Sequence, residues 1–324
     1  MTTQQTTERR MTGSAGWLPH SIDKRIRVLA WASLISQAAL VVTGAAVRLT
    51  GSGLGCPTWP RCTADSLTNT PEMGIHGIIE FGNRTLNFIL VAIALALLVS
   101  LWNLRRTRRD LWWLSISLLA IIPLQAVIGG LTVLTHLNPW VVNVHFLVSA
   151  ALVSAATLLV RRTKDAGGKS TLGVSPILGR LGWVVVALAA VTIYLGTVVT
   201  GAGPHAGARD AVRNGIDPLV ATWMHAIPVG LLVAATIAAL LVSRHEDKRF
   251  ADRSGNDSLP DISETTVALT IVLMAELGQG IIGVVQSYMA VPVSLVAIHV
   301  FGATVILAAV AAAWDSMRSR PPLP

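Results

Sequence analysis

The chain has 324 residues, of which 52% are hydrophobic and 13% charged; its mean hydropathy of +0.62 lies far outside the range of soluble globular domains. A net charge of +8 would suit nucleic acid, but the basic residues fall in short loops between apolar runs, so the charge reports membrane topology and no nucleic-acid partner is expected. These features exclude a soluble enzyme and point to a polytopic membrane protein.

Residues 1–25 read as a polar tail, and the first apolar run is long enough to span, which argues against a cleavable signal peptide. Eight apolar stretches approach the roughly 20 residues that a span requires: 27–47, 76–101, 111–134, 140–160, 180–201, 219–242, 265–289 and 293–314. Basic clusters precede the first (Lys24, Arg25, Arg27) and follow the second (Arg105, Arg106, Arg108, Arg109), fourth (Arg161, Arg162, Lys164, Lys169), sixth (Arg244, Lys248, Arg249) and eighth (Arg318, Arg320). All fall on one side, which the positive-inside rule makes cytoplasmic, with both termini inside. The longer outer loops are Leu49–Glu72 and Ala202–Pro218, and the inner stretch Ser243–Glu264 reads as a solvated linker.

The first outer loop holds Cys56 and Cys62. In an oxidising compartment this spacing permits a disulfide, whereas no histidine or acid nearby completes a tetrahedral metal site. Span two opens on His76-Gly-Ile-Ile-Glu80-Phe-Gly-Asn83-Arg84. Spacings of three and four put its polar groups on neighbouring turns, and ionisable groups at the edge of a span are expensive and usually functional. Glu80 reads either as a carboxylate neutralised by Arg84 or as a proton acceptor or stabiliser of positive charge.

An internal repeat follows. Gln125-Ala-Val-Ile-Gly129 in span three matches Gln279-Gly-Ile-Ile-Gly283 in span seven, and His145 and His299 each lie 20 residues after the glutamine. Val-Val-Thr43-Gly44 recurs as Val-Val-Thr200-Gly201. The expected fold is all-α: eight transmembrane helices as two pseudo-symmetric four-helix bundles, related by a parallel repeat. The bundles cover 26–162 and 180–315, joined by a linker at 163–179 and followed by a tail at 316–324.

Of eight histidines, His20 and His245 sit in solvated segments and His136 and His205 in outer loops. His76, His145, His225 and His299 occupy the outward ends of the even spans. His145, His225 and His299 share similar depth, 15, 17 and 15 residues from the cytoplasmic ends. Each alone would fit a buried histidine bonded to a neighbouring helix; as a set, they suit imidazoles holding heme iron between facing helices. His225 and His299 are the expected clamp of the C-terminal bundle. Asn83 lies at the depth of His145, while His76 lies about 10 Å further out. His76 pairs with His145 only if span two is shifted outward; otherwise that iron keeps a single ligand.

These residues together resemble the heme A synthase family (CtaA/Cox15). The family's span-two motif Glu-x-x-His-Arg appears as Glu80-Phe81-Gly82-Asn83-Arg84, with Asn83 in place of the histidine. The segment Thr43-Gly44-Ala-Ala-Val-Arg48-Leu-Thr-Gly-Ser-Gly-Leu-Gly-Cys56-Pro-Thr-Trp-Pro-Arg-Cys62 is similar to the family's first outer loop, and Thr200-Gly-Ala-Gly-Pro-His205-Ala-Gly to the loop after span five. The resemblance, over residues 25–314, implies oxidation of the C8 methyl of heme O to the formyl of heme A by successive hydroxylations in a bacterial plasma membrane. It implies heme b held by His225 and His299, substrate heme held by His145, Glu80 as the catalytic carboxylate, and a structural or redox-active Cys56–Cys62 disulfide. Arg84, Asn83 and His205 are candidate heme contacts, and His205 with Arg209 and Arg213 could meet propionates. The implied partners are a heme O synthase (protoheme farnesyltransferase), an electron acceptor or donor, cytochrome c oxidase downstream, the lipid bilayer, and a further copy of the chain in a homo-oligomer.

Two other classes remain in view. A b-type bis-histidine electron-transfer cytochrome calls for four matched ligands, which Asn83 breaks. A transporter calls for polar groups at the midplane, whereas those singled out gather at the outer ends.

Overall fold

The computed structural model describes residues 18–208, 211–254 and 262–321. Residues 1–17 and 322–324 of the two tails, Arg209 and Asp210, and 255–261 of the expected linker lie outside them. Eight helices follow in order: α1 (Lys24–Leu49), α2 (Gly74–Ser100), α3 (Arg109–Leu134), α4 (Pro139–Arg162), α5 (Pro176–Ala202), α6 (Pro218–Ser254), α7 (Glu264–Tyr288) and α8 (Val293–Ser316). All eight are long and apolar enough to cross a membrane. The protein is an all-α polytopic membrane protein.

Local chemistry sets the helix starts. The Asp23 side chain accepts from Ile26 N, Ser175 from Leu178 N and Ser263 from Thr266 N; each supplies an acceptor to an otherwise unpaired first-turn amide. Pro139, Pro176 and Pro218 open α4, α5 and α6, where the missing N–H costs nothing.

The helices pack in two rings, α1–α2–α3–α4 closed by α1 on α4, and α5–α6–α7–α8 closed by α5 on α8. The rings meet through α1, α4, α5 and α8. In each, the second and fourth helices stand diagonally opposite. Separate cores fill the two rings: Leu97, Leu111, Leu118 and Leu159 in the first, Leu178, Leu269 and Val272 in the second. The α3–α4 and α7–α8 connections share one backbone design. His136 and Leu137 have φ of 51° and 59°, and Ala290 and Val291 have 56° and 59°. Leu137 N donates to Thr132 O, and Val291 N to Gln286 O, so the same turn recurs 154 residues later.

The four connections α1–α2, α3–α4, α5–α6 and α7–α8 converge on one face, the disulfide face, where Leu137, Ala206 and Ala211 form a small core. The opposite, basic face differs from expectation in two respects. First, the predicted linker 243–264 is helical as far as Ser254, because its acids are used: Glu246 accepts from the Ser175 hydroxyl, and Asp247 from the Thr266 hydroxyl at 2.6 Å. Second, the inter-bundle linker and the second tail are joined. A two-stranded antiparallel ribbon pairs β1 (Thr171–Leu172) with β2 (Arg318–Ser319), Thr171 opposite Ser319.

Beside that ribbon the basic residues are neutralised in a network. Asp315 is 3% exposed and receives Arg320 at 2.7 Å and Arg161 at 3.1 Å. Asp165 receives Arg108 at 2.9 Å and Arg320 at 3.3 Å. Burial raises the Asp165 carboxyl above its ordinary value, against the pull of Arg108 and Arg320. Removing one partner from such a cluster strands buried charge. Asp315→Ala should therefore destabilise the protein by about 3 kcal/mol, read as a lowered thermal unfolding midpoint in detergent; an unchanged midpoint would show that the network contributes no net stability.

Candidate functional site

The disulfide-face end of α2 is built around Glu80, which is 5% exposed. Arg84, one turn on, reaches back to Glu80 Oε1 at 2.5 Å, and the Cys56 amide donates to Glu80 Oε2 at 2.6 Å. Arg84 also donates to the carbonyls of Cys56 and Thr58, both at 3.1 Å. One guanidinium thus binds the carboxylate and folds the loop 50–62 over the helix end. Cys56 and Cys62, both fully buried, form a disulfide, and the Trp59 ring fills the space above Gly130 of α3, where a Cβ would collide with it. The salt-bridge reading of Glu80 is what this geometry displays directly.

His76 stands apart. Its Nδ1 lies 2.9 Å from Ser52 Oγ and its ring is exposed. Because α2 is continuous from Gly74, His76 sits about 10 Å along the axis from Asn83, at the disulfide-face end of the helix. Its hydrogen-bond partner is Ser52, and the α2 side chain set against a glycine of a neighbouring helix is Asn83.

The other three histidines share a feature that spacing alone did not reveal: each imidazole edge sits against a glycine on a neighbouring helix. An added Cβ would stand 3.2 Å from His145 Cε1 at Gly129, 3.2 Å from His225 Cε1 at Gly196, and 3.5 Å from His299 Cε1 at Gly283. The fourth such notch is Gly44, and it faces Asn83 Nδ2 at 4.0 Å. The packing therefore pairs Gly44 with Gly196, whereas the sequence repeat aligned Gly44 with Gly201. Gly201 instead packs on Asn214 and Pro139.

In the second ring, the rings of His225 (α6) and His299 (α8) face each other with centroids 6.4 Å apart and planes at 78°. Metal–imidazole bonds of about 2 Å put two rings flanking one ion about 6 Å apart, so this pair fits a single iron. His225 Nδ1 donates to Thr192 O at 3.0 Å, which leaves Nε2 with the lone pair that a metal needs. In the first ring, Gln125 ties α3 to α4 beside His145, donating to His145 O at 3.0 Å and to Ser149 Oγ. Nδ1 of His145 and of His299 is buried without a partner. Among the described residues no group of three or more His, Cys, Asp or Glu forms a metal site, so any iron here relies on imidazoles in ones and twos.

His205 does not present a free ring: Nε2 donates to Val291 O at 2.8 Å. Arg213 likewise serves its own loop, donating to Ala211 O and Pro204 O. Arg48 crosses between the rings, giving hydrogen bonds to Thr200 O at 2.8 Å and to His205 O, while Gly53 N meets Gly207 O at 2.9 Å. These residues brace the loops. Glu276, which no motif singles out, is a carboxyl 3% exposed midway along α7 that accepts from the Thr236 hydroxyl at 2.9 Å. Its signal was a lone acid in an otherwise apolar span.

The family model COX15-CtaA, described as cytochrome oxidase assembly protein, matches residues 27–311. Among similar proteins are the heme A synthase of Staphylococcus haemolyticus, 29% identical over 180 residues, 53% of this chain and 59% of that protein, and that of Staphylococcus epidermidis, 28% over 217 residues, 64% and 71%. The heme A synthase of Bacillus pumilus is 30% identical over 154 residues, 47% and 49%. The chain thus spans less than two thirds of the length of two of these three relatives.

The Cys56 amide reports the state of the Glu80 clamp. In Glu80→Ala its hydrogen exchange should speed up on the order of tenfold, the loss of one charge-assisted bond, whereas Glu80→Gln, which keeps an acceptor, should retain most of the protection. Equal exchange in both variants and the parent would show that the bond does not hold the loop.

Proposed function

This chain belongs to the COX15-CtaA family of cytochrome oxidase assembly proteins, and on that premise we propose that it is a heme A synthase, an oxidoreductase converting the C8 methyl of heme O to the formyl of heme A. The observation that carries the reading is the facing pair His225 and His299, with centroids 6.4 Å apart, inside a membrane chain of that family. Heme, when bound, supplies the redox chemistry: heme b in the C-terminal ring, with heme O as substrate in the N-terminal one.

The chain's own residues then divide the work. His225 and His299 hold heme b, with the Thr192 carbonyl fixing the His225 ring. His145 binds the substrate iron, seated on Gly129 with its backbone pinned by Gln125. Both oxygens of Glu80 accept hydrogen bonds, so its contribution is a fixed negative charge near the substrate, suited to stabilising positive charge that develops during oxidation. The disulfide loop, with Trp59 over Gly130, shields that end of the site from water. The matched glycine notches and the repeated turn support descent of the rings from one duplicated four-helix unit. The basic clusters and the disulfide support a topology with both termini in the cytoplasm and the Cys56–Cys62 loop outside a bacterial plasma membrane. A heme O synthase supplies the substrate and cytochrome c oxidase takes the product.

Extraction of hemes from the full chain, purified after expression with a heme O synthase, tests the reading. Heme A or its hydroxylated intermediate alongside heme b is expected; two equivalents of heme b and nothing else would replace the synthase by an electron-transfer cytochrome. Glu80→Gln should cut heme A formation at least a hundredfold, the scale of removing one preorganised electrostatic group, with heme b content unchanged. His225→Ala or His299→Ala should remove the low-spin heme b signal, and a full signal in either would contradict the clamp.

A further inference from the structure

The two rings differ in single contacts at their glycine notches. In the C-terminal ring both diagonal helices present an imidazole on a glycine notch: His225 on Gly196 and His299 on Gly283. In the N-terminal ring α4 does the same with His145 on Gly129, but α2 presents the amide of Asn83 at the Gly44 notch. That notch is also looser, 4.0 Å against 3.2 Å at Gly196. An amide ends nearer its own Cα than imidazole Nε2 does, so Asn83 reaches less far into the ring. Amide oxygen is moreover a donor suited to hard cations, whereas iron in such sites takes imidazole. Asn83 Oδ1 is buried and has no hydrogen-bond partner, so the amide is not committed to holding the helices together. His76, the other candidate, is bonded to Ser52 at the disulfide-face end of the helix.

We propose that the iron held by His145 has an exchangeable coordination position on its α2 side, occupied by a small exogenous ligand of the carbon monoxide or cyanide class to which the Asn83 amide donates a hydrogen bond. The proposal rests on the N-terminal ring being a heme site, as argued above. The asymmetry would give the two sites different tasks: iron held by His225 and His299 would be closed by two imidazoles, while iron held by His145 would be open on the face that Asn83 borders. Asn83 lies one turn from Glu80 on the same helix, so that open face and the fixed carboxylate share one side of the site. Asn83 acts here as a ligand-binding residue.

The test uses the full chain, reconstituted with heme O and reduced, and carbon monoxide as the probe, with hemes counted by extraction. Two hemes per chain with one equivalent of carbon monoxide bound is expected. Asn83→His, which adds the missing imidazole, should abolish carbon monoxide binding at unchanged heme content, with the low-spin heme b signal reporting intact folding. Asn83→Ala should still bind carbon monoxide, and in the oxidised protein its affinity for cyanide should fall about tenfold, the loss of one hydrogen bond. Two hemes with no carbon monoxide bound would overturn the inference and leave the proposed function standing. Full binding in Asn83→His, or unchanged cyanide affinity in Asn83→Ala, would overturn the role of Asn83. One heme per chain after reconstitution would overturn the heme site itself, and with it both readings.

Discussion

A carboxylate buried at the edge of an apolar span must be answered by fixed donors, and the disulfide face of this protein is arranged around how Glu80 is answered. Arg84 supplies charge at 2.5 Å and the Cys56 amide supplies a second donor at 2.6 Å. Because the amide belongs to the loop and the guanidinium also grips the loop's carbonyls, satisfying one side chain positions a whole covering segment. Leaving either donor out would expose Glu80 to the desolvation cost that makes lone buried charges rare. The disulfide then keeps the loop's own geometry, so that the amide remains aimed at the carboxylate.

The two rings set unequal side chains on one helix order. Their helix order, their 154-residue turn repeat and their glycine-seated side chains match, yet one ring closes its centre with two imidazoles and the other sets an imidazole across from an amide. The difference resides in a single side chain, Asn83, and in the relaxed fit at Gly44. The same helix order thus accommodates two imidazoles in one ring and an imidazole with an amide in the other.

Much of this was legible from residues alone. Hydropathy located all eight helices to within a few residues, except the end of α6, because a span is specified by an apolar run of fixed length. Counting along helices of constant rise groups His145, His225 and His299, and the structure gives the three a shared feature, a glycine of a neighbouring helix under each ring. What escaped the reading depends on pairing across distance. The Arg48 bonds to the loop after α5, the Ser52 contact of His76 and the β1–β2 ribbon join residues far apart in sequence, and no local period announces them. The continuation of α6 to Ser254 was hidden because its charged end resembles a linker until Glu246 and Asp247 are seen to cap the starts of α5 and α7. The Val-Val-Thr-Gly repeat aligns Gly44 with Gly201, whereas the glycine under His225 is Gly196, since a notch is chosen by the ring it faces.

The ribbon and its neighbouring charges also impose an order in time. Arg320 reaches Asp165 across 155 residues of chain, and β2 at Arg318–Ser319 pairs with a strand made far earlier. The basic end of the N-terminal ring therefore stays electrostatically incomplete through the synthesis and insertion of all four helices of the other ring. The rings already meet through α1, α4, α5 and α8 and through Arg48 on the Thr200 carbonyl, so what waits for the last residues is the Arg320 bridge to Asp165 and Asp315 and the β1–β2 ribbon; a chain cut short before them keeps the helix contacts and lacks that last fastening.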